Sequence, residues 1–175
     1  MSVQWWQSVN GRSLAQGDLL PNCMLPVFVA PQPTDDPDVA QDIDVLTQRL
    51  IIVTQSCDLE NNKVQFVALC PIHTLNEFAV QNSRYQKPKN WEPVRKGQVQ
   101  GLHMMASPNF PETNTESLVV DFGHIVSLPI EYLECHAASL GDRWRLGSPF
   151  LEHYSQAFAR FFMRVGLPSG IAQFT

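Results

Sequence analysis

The segment RLIIVTQSCDLENNKVQFVALCPIHT, Arg49 to Thr74, holds two apolar runs, Leu50 to Val53 and Val64 to Leu69, joined by a polar turn at Glu60-Asn61-Asn62. Two short β-rich runs with a polar connection predict neighbouring strands. The connection is too brief for the crossover that a parallel pair needs, so the pair is antiparallel. Each run ends in polar chemistry: Gln55, Ser56, Cys57 and Asp58 follow the first, and His73 and Thr74 follow the second. Strand ends are where a rigid scaffold presents functional groups. A strand rises about 3.3 Å per residue, which puts Arg49 about 20 Å from the Gln55 to Asp58 turn. The segment therefore offers two candidate sites, one at Arg49 and His73 and another at Gln55 to Asp58.

Working outward, 175 residues with 44% hydrophobic and 17% charged side chains make one globular domain, 1–175, and exclude a disordered chain. A net charge of −5 argues against broad attraction to nucleic acid or to an anionic membrane, so any such binding is local. No apolar run is long enough to span a bilayer and the first residues do not form a signal peptide, which predicts a cytoplasmic chain with no membrane partner. Cys23, Cys57, Cys70 and Cys135 form no Cys-x-x-Cys pair or disulfide framework, and no metal site and no cofactor are expected. The acidic Thr34 to Asp38 stretch lies in a proline-rich loop, Pro31 to Asp44, and lacks the fixed scaffold that a metal needs. Phosphate loops, Gly-x-Ser-x-Gly elbows and His-Glu-x-x-His pairs are absent.

The rest of the chain predicts a strand over Leu19 to Val29, confined by Pro21 and Pro26 to an edge or a bulged strand, and a short helix over Leu75 to Val80. Further strands are expected at Val99 to Ala106 and Ser117 to Leu128, with Asp121 bracing a turn, then a helical turn at Pro129 to Leu133. Between these, Ser83 to Lys96 reads as a surface loop carrying Arg84, Lys87, Lys89, Arg95 and Lys96 among Tyr85 and Trp91, the mixture of cations and stacking surfaces that single-stranded nucleic acid binding uses. Ser148 and Pro149 predict the start of a C-terminal helix over 148–166, with Leu151, Tyr154, Phe158, Phe161, Phe162 and Val165 on one face and Gly166 and Pro168 as its stop. Trp5 and Trp6 are expected to pack on the domain.

The order of these pieces resembles the PemK/MazF family of toxin endoribonucleases. That family is similar in its Gly-Asp before the first strand, here Gly17 and Asp18. It is similar too in an arginine opening a Val/Ile-rich strand, here Arg49, in a strand ending Pro-Ile, here Pro71, Ile72 and His73, and in a late Val-rich strand with an aspartate, here Val119, Val120 and Asp121. The likeness covers roughly 16–133, with an insertion before Arg49. It implies a mainly β fold with added α (α+β), a small SH3-like β-barrel over 16–133 crossed by the 148–166 helix, in a divergent bacterial branch. It also implies that Arg49 and His73 carry RNA cleavage, although the family has Thr or Ser where His73 stands and a proline after the arginine, where this chain has Leu50.

Three functions follow. In the first, single-stranded RNA is held by Arg84, Lys87, Lys89 and Trp91 and cleaved with Arg49 as phosphate clamp and His73 as general acid or base. The second is a non-catalytic subunit that docks on a bacterial protein partner through its tryptophans, aromatic helix and acidic loop. In the third, Cys57 is the nucleophile of a hydrolase with His73, His103 or His124 as base, a role that Asp58 next door opposes.

Overall fold

The computed structural model describes residues 4–28, 43–109 and 116–163. In chain order they form β1 (Trp6–Val9), β2 (Leu19–Phe28), β3 (Ile43–Ile52), α1 (Ser56–Glu60), β4 (Phe66–Thr74), α2 (Leu75–Gln81), two 3₁₀ turns (Ser83–Gln86 and Pro88–Trp91) and α3 (Glu92–Arg95). There follow β5 (Leu102–Met105), β6 (Leu118–Asp121), β7 (Val126–Pro129), α4 (Ile130–Leu140), β8 (Arg143–Leu146) and α5 (Phe150–Phe162). The fold is mixed α and β, with antiparallel pairing throughout the described strands.

β3 and β4 are antiparallel neighbours, Leu50 opposite Pro71 and Ile52 opposite Leu69, as their sequence predicts. Their connection is not a bare turn, because Ser56–Glu60 closes one short helix before the chain returns. The expected barrel does not form among the described residues. Six strands instead make an open sheet in the order β2-β3-β4-β6-β5, with β7 also on β4. The cause lies in β4, whose edge away from β3 is shared by β7 over Phe66 to Leu69 and by β6 over Ile72 to Thr74. Ile72 and Leu69 are three residues apart, yet their partners Val120 and Val126 are six apart, so the facing chain loops out between them. What reads as one strand over Ser117 to Leu128 is thus two, divided by a bulged turn. Pro71 falls at this junction, a place where a proline without an N–H is tolerated in an inner strand.

Alternation along the strands sends Leu50, Ile52, Val67 and Leu69 to one face, where α4 covers them with Leu133 and Ala137. Ile51, Cys70, Ile72 and Val120 point to the other face, against Trp6, Tyr154 and the aromatic side of α5. The expected aromatic helix does cover the sheet, over Phe150–Phe162 rather than 148–166. Ser148 does not cap it: its hydroxyl bonds Glu152 at 2.9 Å and Pro149 takes the cap position. Val165, Gly166 and Pro168 lie outside the described residues, as do the acidic stretch at Thr34 to Asp38 and most of the expected Pro31 to Asp44 loop, whose last two residues open β3.

Ser83 to Lys96 is not a loop but two 3₁₀ turns and α3, because Phe78, Tyr85, Val94 and Val119 form a third buried cluster beneath it. The helical turn expected at Pro129 to Leu133 extends to eleven residues in α4. The tryptophans pack as expected: Trp6 is buried with Nε1 donating to the Ala106 carbonyl at 2.8 Å, and Trp5 stacks on Phe150 with ring centres 3.6 Å apart.

β1 pairs with β8 in a separate two-stranded sheet that the sequence does not announce. Gly17 and Asp18 stitch it to the main sheet: Gly17 N–H donates to the Ile52 carbonyl, Ile52 N–H to the Asp18 carbonyl, and Leu146 N–H to the Gly17 carbonyl. Gly17 has φ +83°, and a Cβ there would lie 2.9 Å from the Leu146 Cβ, so the junction requires glycine. Asp18 is fully buried with its carboxylate between Arg143 and Arg145, whose guanidinium groups also reach the carbonyls of Gly11 and Ser13.

Candidate functional site

His73 is the penultimate residue of β4. Thr74 after it ends the strand and starts α2 through a reciprocal cap, its hydroxyl accepting from Glu77 N–H at 3.2 Å while its own N–H donates to Glu77 Oε2 at 2.7 Å. Glu77 is thereby fixed, and its Oε1 receives Arg49 Nη2 at 3.5 Å. Burial raises the Glu77 carboxyl pKa, but the Thr74 N–H and the Arg49 charge outweigh it and leave the group below its ordinary value. The His73 ring is half-buried 5.9 Å from the Phe78 ring. Burial lowers its pKa, with Arg49 and His124 acting in the same direction and Glu77 and Asp121 against it, so the imidazole is neutral at physiological pH.

The bulged turn between β6 and β7 faces His73. Asp121 braces it as expected, Oδ1 accepting from Gly123 N–H at 2.8 Å. Its other oxygen lies 2.9 Å from His124 Nδ1. A carboxylate only accepts, so Nδ1 carries the proton and Nε2 is left for an external partner. His73 and His124 both line a cleft of about 520 Å³, walled by Leu25, Pro26, Val27 and Leu46 of the β2–β3 ribbon on one side and by β7 on the other. Gln48, Gln81 and Ser127 add hydrogen-bonding groups to the same cleft. This arrangement can accept a proton at His73 and, when His124 carries a second proton on Nε2, deliver one from there.

Arg49 shares the His73 end of the strand pair but does not line the cleft. It sits inside β3 rather than at its start, and its side chain is engaged with Glu77. The Gln55 to Asp58 segment lies elsewhere, at the end of β3. Ser56 Oγ accepts from Gln16 N–H at 3.1 Å, a tie that holds α1 to the N-terminal loop. The exposed Cys57 thiol has Gln55 Oε1 at 3.6 Å and Asp58 Oδ1 at 3.8 Å as neighbours, so a carboxylate rather than an imidazole faces it. Asp58 in turn meets Lys63 at 3.6 Å.

In the basic segment, Arg95 and Lys96 both pair with Glu92, at 2.6 and 3.3 Å. Arg95 hydrogen bonding pulls the exposed Glu92 carboxyl down to about 2. Tyr85 is buried and Trp91 half-buried against Phe78, so little aromatic surface remains for stacking. Arg84, Lys87 and Lys89 are exposed and make no ion pair among the described residues.

His124 was visible in the sequence as a possible partner of Cys57, not of His73. The signal for its placement is the Asp121-Phe122-Gly123-His124 spacing, in which a glycine turn returns the histidine to the aspartate. Among the described residues no group of three or more His, Cys, Asp or Glu side chains is arranged to hold a metal ion, and no helix is long and apolar enough to cross a membrane. Compared with known protein families and with curated proteins, the chain matches none.

Proposed function

We propose that this protein binds single-stranded RNA and cleaves it by acid–base chemistry at His73 and His124. The observation that carries the reading is two imidazoles lining one cleft, the first kept neutral by burial and the second oriented by Asp121. Neutral His73 takes the proton of a 2′-hydroxyl as its oxygen attacks the phosphorus. The P–O5′ bond breaks as the leaving 5′-oxygen takes the Nε2 proton of His124 in its doubly protonated form, whose other proton stays on Nδ1 against Asp121; this gives a 2′,3′-cyclic phosphate, a free 5′-hydroxyl and a neutral His124. Arg49, beside the His73 end of the sheet, favours phosphate there electrostatically, and Arg84, Lys87 and Lys89 attract the flanking strand. The SH3-like and PemK/MazF-like kinship belongs to this proposal, resting on the order of motifs from Gly17 to Asp121.

The test is cleavage of a single-stranded RNA at low salt by the wild type and by His73→Ala, His124→Ala and Arg49→Ala. Each histidine variant should lose roughly 100-fold or more in rate, the ordinary contribution of a positioned acid or base. If the wild type neither binds nor cleaves, or if the histidine variants match it, the reading fails.

A second reading has its own observation. Met24, Val27, Ile43, Val45 and Leu46 leave apolar surface in water along the β2–β3 ribbon, with Val45 63% exposed. Such a surface suits a non-catalytic subunit docked on another protein, and recovery of a tight hetero-complex with no RNA retention would favour it.

A further inference from the structure

A second cleft, about 490 Å³, opens on the other face of the sheet between α5 and the segment leading into β5. The register separates it from the first: His73 stands opposite Val119, whereas His103 stands opposite Val120, and neighbouring residues of a strand point to opposite faces. Its lining is one-sided in charge. Arg95, Lys96 and Arg160 contribute cations, His103 and His153 imidazoles, and no Asp or Glu lines it, in a chain whose net charge is −5. Arg160 makes no ion pair among the described residues. Glu92 pairs with Arg95 and Lys96 and offsets part of their charge, which leaves Arg160 as the lining cation without a carboxylate partner among the described residues.

The depth of this cleft is different in kind. His103 lies near-parallel to Phe122 with ring centres 6.2 Å apart, and its Nε2 is buried without a hydrogen-bond partner among the described residues. A buried polar atom left unpaired is unfavourable and calls for an explanation. Burial, with His153 nearby, pushes the ring pKa down to about 4, so it is a neutral imidazole able to donate or accept one hydrogen bond. A neutral imidazole beside Phe122, in a cleft that Phe161 and exposed cations also line, matches a ligand that is flat and weakly polar at one end and anionic at the other.

We propose that this cleft binds a phosphate monoester carried on a planar ring, the chemistry of a nucleoside monophosphate, with the ring edge on His103 Nε2 and the phosphate on Arg160, Lys96 and Arg95. Its size falls within the usual range for small-ligand sites, roughly 300–1,000 Å³. The proposal does not depend on RNA cleavage, since the His73 cleft is on the opposite face.

The probes are the four common nucleoside monophosphates, with the matching nucleosides and inorganic phosphate as the two halves, titrated at low salt by calorimetry. At least one monophosphate should bind roughly tenfold or more tighter than either of its halves. Arg160→Ala should weaken it by about tenfold or more while leaving RNA cleavage unchanged, because a phosphate contact is lost and the side chain is exposed with no ion pair among the described residues. His103→Leu should weaken the monophosphate and the nucleoside alike, and His103→Gln should recover part of the loss. The proposal is overturned if no monophosphate outperforms inorganic phosphate. It is equally overturned if Arg160→Ala and His103→Leu, with unchanged thermal stability, bind as the wild type does, which would place any nucleotide outside this cleft.

Discussion

Replacing Asp18 with alanine should be among the most damaging single changes to this fold. The Asp18 carboxylate is inaccessible to water and accepts from Ala15 N–H at 3.2 Å, from Arg143 Nε and Nη2 at 3.2 and 3.1 Å, and from both donors of the Arg145 fork, Nη2 at 2.9 Å. Arg143 is itself almost wholly buried, its side chain 2% exposed. In Asp18→Ala the Arg143 charge stays buried beside a second guanidinium with only the Gly11 and Ser13 carbonyls as acceptors, and breaking a buried pair in this way costs about 3–5 kcal/mol. Domains hold only about 5–15 kcal/mol in total, so the variant should lose about a fifth of its stability or more. Urea titration followed by tryptophan fluorescence reads the loss, with Trp6 as a buried reporter. The double variant Asp18→Ala with Arg143→Met separates the causes: removing the stranded charge should recover about half of the loss or more, because most of it is the burial of an unpaired ion. A loss below about 1 kcal/mol, or a double variant no more stable than the single one, would refute this account of the junction.

Three further outcomes are expected. His103 has its pKa at about 4 in the fold against 6.5 in the unfolded chain. The unfolded chain therefore takes up a proton that the fold refuses, and stability that is complete above about pH 6.5 should decline towards pH 4 by about 3 kcal/mol at 1.4 kcal/mol per pH unit. Urea titrations at pH 7 and 4.5 should show this decline in the wild type but not its His103 share in His103→Leu, and parallel curves would overturn it. Phe122→Ala should cost about 3–5 kcal/mol, since the ring is 1% exposed and packs against Tyr154 and Phe158, and an unchanged thermal midpoint would mean that the face under α5 is not close-packed. Exposed Cys57 and Cys135 should alkylate in the native protein, while buried Cys23 and Cys70, each pushed up to about 12 chiefly by burial, should react only on unfolding, as peptide mass mapping of the labelled protein would show.

How much was legible depends on where each residue's partner lies in the chain. The β3–β4 pair, α2 and α5 follow from local pattern: apolar runs, a Thr74 to Glu77 cap and an aromatic stripe. The open sheet does not, because it turns on β4 changing partners at Pro71, and no local pattern reveals a strand with three neighbours. Strand β8 was missed because Arg143 and Arg145 look like surface residues until Asp18, more than a hundred positions away, is placed between them. At the candidate site, His73 was marked by its strand end and Asp121 by its apolar surroundings. The approach of His124 depends on the bulge, and the loss of Arg49 to Glu77 depends on a cap that the sequence shows only as a helix start.

The pairing of Trp6 with Leu146 also bears on biosynthesis. At a translation rate of roughly 5–20 residues per second, β1 waits on the order of ten seconds for its partner strand to be made. Over that interval Trp5 and Trp6 lack Phe150 and the sheet face around Ile72 and Val120 lacks its helix. A ribosome-bound chain stopped before α5 should thus be a substrate for chaperones that recognise aromatic stretches, and its release from them should coincide with emergence of the segment up to Phe162 from the exit tunnel.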